Sequence, residues 1–140
     1  MMKKSFVIIP CSGIGKAYGT ICREAVYEVV ERSGPDKAQT LCLGLLTRGD
    51  EDAINLLKER HCISVDGCAK KCSYKNIERI VKKTSIPFTI MDLFRKHRDL
   101  NPNDLDLGTV LNLEEGGKYL VHLLADEICH EMDRMEDKDG

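Results

Sequence analysis

A chain of 140 residues, 42% hydrophobic and 31% charged, has the length and composition of one folded domain with a proper core, so disorder is not the expectation. Its formal net charge of -2 and pI near 6.1 argue against a general nucleic-acid binder, which needs a strongly basic surface. No run reaches the roughly 18 apolar residues of a membrane span, and the apolar stretch near the start ends at Pro10, short of the about 7 residues of a signal-peptide core. The expectation is a cytoplasmic protein with no membrane association, and the seven cysteines then point to metal ligation or thiol chemistry more than to structural disulfides.

Ser5 to Pro10 is rich in β-formers and almost wholly apolar, the mark of a central strand buried on both faces. It empties into Cys11-Ser12-Gly13-Ile14-Gly15-Lys16, read as a tight turn. The next helix carries Tyr18, Ile21, Cys22, Ala25, Val26 and Val29 as a stripe, and Gly34 then Pro35 stop it. Ala38 to Leu43 reads as a second strand with Cys42 at its far end and Gly44 turning the chain. Asp50, Glu51 and Asp52 open a helix with acidic residues at its positive end, and Ala53, Ile54, Leu56 and Leu57 form its apolar side.

Cys62 to Val65 is the third strand candidate, followed by Asp66-Gly67-Cys68-Ala69-Lys70-Lys71-Cys72 and a helix over Ala69 to Lys83 with Tyr74, Ile77, Ile80 and Val81 inward. Ile86 to Met91 reads as a fourth strand. From Arg95 to Asp106 the chain is polar, with a turn at Asn101-Pro102-Asn103. Lys118 to about Met135 is a long helix with Val121, Leu124, Ile128, Met132 and Met135 on one face, and its acidic end is expected to fray.

This alternation predicts an α/β fold of three layers: a mostly parallel sheet of about four strands, flanking helices and a C-terminal helix. Residues 5–93 form the expected core, and residues 94–140 the expected loop and helix extension of a single domain.

Three cysteines fall at the carboxyl ends of three successive strands: Cys11, Cys42 and Cys68. That edge is where ligands bind in an open α/β sheet, and an order with the first strand between the second and third brings the three ends side by side. Cys72, one helical turn beyond Cys68, completes the set. If the helix starts at Ala69, Cys68 and Cys72 share a face at its positive end, which favours the thiolate. Four thiolates suit tetrahedral zinc at roughly 2.3 Å and equally an iron–sulfur cluster. Lys16, Lys70 or Lys71 help to offset the negative charge of such a centre. The plainer alternative is that each cysteine is a small buried hydrophobe, a poor description of residues in turns at a sheet edge.

Asp66-Gly67-Cys68 with Cys72, Pro10-Cys11-Ser12-Gly13 after the first strand, and Cys42 close before a glycine resemble the DGC-domain family of zinc-binding proteins. The resemblance covers roughly Phe6 to Leu93. It implies an α/β domain whose four cysteines, here Cys11, Cys42, Cys68 and Cys72, bind zinc in a structural or regulatory role. A fainter likeness, Val7-Ile8-Ile9-Pro10-Cys11 with Tyr18-Gly19, runs to the thiouracil desulfidase family. That likeness implies a 4Fe-4S cluster on three of the cysteines with an open iron for a sulfur-containing substrate. A third reading is a thiol-redox module in which Cys68 and Cys72 form a disulfide.

Other motifs carry less. Gly13-x-Gly15 lacks the third glycine of a dinucleotide fingerprint and Lys16 the spacing of a P-loop. Asp66 is read as a turn aspartate that holds an amide rather than a catalytic carboxylate. Cys22 and Cys62 are read as core, and Cys129, His130 and His122 as surface or packing residues. The lysines at 70, 71, 75, 82 and 83 are read as a solvated face.

Overall fold

The computed structural model describes residues 5–11 and 16–138. In chain order the elements are β1 (Phe6–Pro10), α1 (Ala17–Ser33), β2 (Ala38–Thr40), α2 (Leu43–Arg48), α3 (Glu51–Glu59), β3 (His61–Asp66), α4 (Cys72–Val81), β4 (Ile86–Thr89), α5 (Ile90–Lys96), a single 3-10 turn (Pro102–Asp104) and α6 (Glu115–Lys138). The four strands form one parallel sheet in the order β2-β1-β3-β4.

The run of apolar residues in β1 serves both faces of that sheet. Phe6 and Ile8, with Ile63 and Val65 of β3, point to the side covered by α1, α5 and α6. Val7, Ile9 and Cys62 point to the side covered by α2, α3 and α4. The period of two along each strand thus produces two cores separated by one sheet, the three-layer α/β arrangement expected from the alternation of elements.

The helical stripe of α1 is buried as spaced, with Ile21, Cys22, Ala25, Val26 and Val29 fully shielded. α6 packs along α1 with Leu120, Leu124, Ala125, Ile128 and Met132, so the C-terminal helix closes the first core rather than standing apart. α1 ends at Gly34, whose φ of 85° lies in the region that glycine adopts without a Cβ penalty. α3 starts at Asp50, whose side chain accepts from the Ala53 amide at 3.0 Å.

Several boundaries differ from the sequence reading, each for a local reason. The second strand is three residues long, because the chain leaves the sheet after Thr40 and enters α2, with Cys42 as its N-cap residue. Gly44 therefore sits inside a helix instead of turning the chain. α4 begins at Cys72, not Ala69: Lys71 adopts a left-handed conformation, φ 50° and ψ 51°, that interrupts any helix started earlier. Cys68 consequently lies in a bend, and the shared helical face for Cys68 and Cys72 does not exist.

β4 stops at Thr89, whose hydroxyl accepts from the Asp92 amide at 3.0 Å and caps the unforeseen α5. α6 starts three residues before Lys118 and stays helical to Lys138, past the point where fraying was expected. Lys37 holds it there, pairing with Asp133 at 2.7 Å and Glu136 at 3.3 Å.

Candidate functional site

The order β2-β1-β3 sets the carboxyl ends of three neighbouring strands at one edge. After β1 the chain turns one way, through α1 to β2; after β3 it turns the other way, through α4 to β4. The β1/β3 boundary is therefore the switch point at which connections diverge and leave a crevice. Cys11 is the first residue beyond β1, and its amide extends the ladder by donating to Val65 O at 2.8 Å. Cys68 follows β3 by two residues.

Asp66 fixes the chain between them. Its side chain is 1% exposed, accepting from the Ser73 amide at 2.8 Å and the Tyr74 amide at 3.1 Å. It thus caps α4 from the strand before it, a longer reach than an ordinary N-cap. Burial pushes the Asp66 carboxyl above its usual range, opposed by those two amides and by the charge of Lys71. The Ser73 hydroxyl donates to Ile9 O at 2.6 Å, tying the start of α4 to β1. Asp66 therefore acts on backbone amides, but on those of the first turn of α4 rather than, as its place before glycine suggests, on an amide of its own turn.

Gly67 has a separate reason. A Cβ at this position would stand 3.1 Å from both the carbonyl carbon and the Cβ of Tyr18, inside ordinary van der Waals contact. Its amide donates to Cys11 Sγ at 3.4 Å. The Asp-Gly pair thus combines a helix cap with a close approach to α1, and delivers Cys68 to the surface.

A pocket of about 220 Å³ opens here, with Cys11, Cys68, Tyr18, Gly67 and the ammonium-bearing Lys16 and Lys70 among its walls. Its lining is mostly apolar carbon, and Cys42 and Cys72 do not line it. Cys11 is buried, whereas Cys42, Cys68 and Cys72 are exposed. Cys42 Sγ lies 3.4 Å from where a Cβ on Gly44 would be. Ser12, Gly13, Ile14 and Gly15, read as a tight turn facing the cysteines, lie outside the described residues.

The sequence reading took Cys22 as plain core. It is fully buried, in the same core as Cys11. The influence of the Cys11 side chain, then burial, then the neighbouring charges of Cys11 and Asp66 push the Cys22 thiol well up. Cys62 is core as read, with its thiol donating to Leu57 O at 3.2 Å. Cys129 is half-buried, packed against the first core beside Arg32 and Ser33. His122 pairs with Glu28 on the far face.

The donor set is four soft thiols at one edge, of the kind that zinc or an iron–sulfur cluster takes. As the side chains stand, among the described residues no three His, Cys, Asp or Glu groups are near enough to share an ion. The geometry thus brings Cys11 and Cys68 to one pocket and places Cys42 and Cys72 elsewhere along the same edge.

The fold and edge define a parallel α/β protein with a cysteine-bearing switch point. A family model, the DGC domain, matches residues 7–112. The chain belongs to the DGC-domain family. The match runs past Leu93 and ends before α6. No curated protein matches, and no solved structure does. Among the described residues no helix is long and apolar enough to cross a membrane.

Proposed function

We propose that this DGC-domain protein binds one zinc ion through the thiolates of Cys11, Cys42, Cys68 and Cys72, in a structural or regulatory role. The observation that carries the reading is the strand order. It places a cysteine at or just beyond the carboxyl end of each of three adjacent strands, with a fourth at the start of α4. Zinc would add a cross-link to segments already tied by the sheet, by Gly67 N–H to Cys11 Sγ and by the Ser73 hydroxyl to Ile9 O.

The chain's own residues serve this reading in distinct ways. Gly67 N–H faces Cys11 Sγ and favours negative charge there, while Lys16 and Lys70 bring positive charge to the same pocket. Exposed Cys42, Cys68 and Cys72 have freedom to turn, which the reading requires, because no three ligands converge in the present arrangement. Ordering of these side chains is thereby coupled to metal uptake.

The test is elemental analysis of anaerobically purified full-length chain, wild type and with each of the four cysteines changed to serine. One zinc per wild-type chain, with the content falling sharply in all four variants, supports the reading. Iron with acid-labile sulfide transfers the site to a cluster that could take a sulfur-containing substrate. No metal taken up even with added zinc leaves the thiols as reactive groups, and the zinc reading fails.

A further inference from the structure

A cleft of about 460 Å³ lies between α1, the start of α6 and the turn at residues 109–112, and no cysteine lines it. Val121 and Leu113 line it with apolar carbon. Leu111, 88% exposed, and Tyr27, 52% exposed, stand in its walls, and they are the two most exposed large hydrophobic side chains among the described residues.

The turn that carries Leu111 is fixed at several points. The Thr109 amide donates to Asn112 O at 2.8 Å, and the Asn112 amide donates to Thr109 Oγ1 at 3.1 Å. Gly108 and Leu113 close the turn as a β-bridge, and the Thr20 hydroxyl of α1 donates to Val110 O at 2.8 Å. A side chain held on so constrained a turn gives up little backbone freedom when it docks.

The cleft also carries unmatched charge of both signs. Glu28 is answered within the chain by Arg32 and His122. Glu24, Glu31 and Lys118 line the same cleft, are exposed, and have no ion-pair partner among the described residues.

We propose that this face is the interface of a two-fold dimer of the chain, in which Leu111 of each copy enters the cleft of the other and Lys118 meets the partner's Glu24 or Glu31. A two-fold interface joins one patch to itself, so the patch must hold a projection and a hollow, and charges of both signs. This patch holds all of these. A foreign cationic segment would satisfy Glu24 and Glu31 but stand against Lys118, and an anionic one would do the reverse. Leu111 supplies most of the affinity, and the charges set the register in which the copies meet. The dimer does not rest on the metal reading, because its residues lie apart from the four cysteines.

The experiment is sedimentation velocity on the full-length chain from micromolar to millimolar concentration, with reductant and chelator present so that neither a disulfide nor a shared ion joins the copies. The expected result is a reversible monomer–dimer equilibrium. Leu111→Asp should raise the dissociation constant by more than about tenfold, since two leucines lose their burial. Lys118→Glu should raise it several-fold by setting like charges together, and adding Glu24→Lys and Glu31→Lys should recover most of that loss. Met91→Asp, at an exposed residue outside the cleft, should change nothing. A dimer indifferent to both Leu111→Asp and the charge exchange, or assembly that runs on beyond the dimer, overturns the proposal. So does a wild type that stays monomeric throughout, including one whose cleft resonances shift on titration with oligolysine, which gives the cleft to a cationic partner. The charge exchange decides if Leu111→Asp fails to fold.

Discussion

Replacing Asp66 by alanine removes both acceptors that hold the first turn of α4 to the end of β3. The Ser73 amide is in a fully buried residue, so water does not substitute, and an unsatisfied buried donor costs about 1–3 kcal/mol. Tyr74 is half-buried, so its amide keeps partial access to water and adds up to about 1 kcal/mol. Relief of the burial cost of the carboxylate, which holds the group above its usual pKa, offsets part of this. The net is a destabilisation of about 1–3 kcal/mol, or roughly 3–12 °C in Tm for a chain of this length.

Asp66→Asn keeps one acceptor oxygen and should lose about half as much. Urea unfolding of the three proteins in a chelating buffer gives the free energies, and native-state amide exchange gives the location. Exchange should quicken first at Ser73 and Tyr74. An alanine variant within about 0.5 kcal/mol of wild type, or unchanged protection at those two amides, refutes the capping account.

Gly67→Ala forces a Cβ to within 3.1 Å of Tyr18 and should cost about 1–3 kcal/mol as α1 and the turn move apart, seen as a lower urea midpoint; an unchanged midpoint contradicts the close approach. Thr89→Ala removes the cap of α5 and should cost about 1 kcal/mol in the same assay, with Thr89→Ser restoring most of it. Burial pushes the Glu127 carboxyl up, but the hydrogen bond with His97 and the charge of Lys96 outweigh it and hold the pKa below the usual glutamate value. Its contribution is therefore present above the unfolded pKa of about 4.3 and is lost as the pH falls through the lower folded value. Melting curves of wild type and Glu127→Gln should differ at pH 6 and converge on acidification. A gap that widens toward acid reverses the sign and rules out the assignment.

The fold was legible where burial is periodic. The unbroken apolar run of β1 requires cover on both faces, and the α1 and α6 stripes supply one of the two layers. Short helices hid in apolar runs that pass for strands. Leu41 to Leu46 continues the character of β2, and only Leu43 and Leu46 are buried in α2, too few for a helical period to show. Ile86 to Met91 likewise hides the point at which Thr89 ceases to be a strand residue and becomes a cap.

The edge that carries Cys11, Cys42 and Cys68 followed from topology alone, since strand ends are set by strand order. Which sulfurs share a pocket did not follow. The meeting of Cys11 and Cys68 in one pocket depends on how α1 is set against the turn at Gly67, and the separation of Cys68 from Cys72 depends on one left-handed residue, Lys71. Neither leaves a periodic trace in the sequence.

The central claim is that thiolates from separate strand ends take one zinc ion. X-ray absorption at the zinc edge, on anaerobically prepared full-length chain, addresses it directly. The account predicts a single shell of about four sulfurs at about 2.3 Å and no nitrogen or oxygen in that shell. A shell dominated by nitrogen or oxygen, or a chain that retains no zinc, contradicts it.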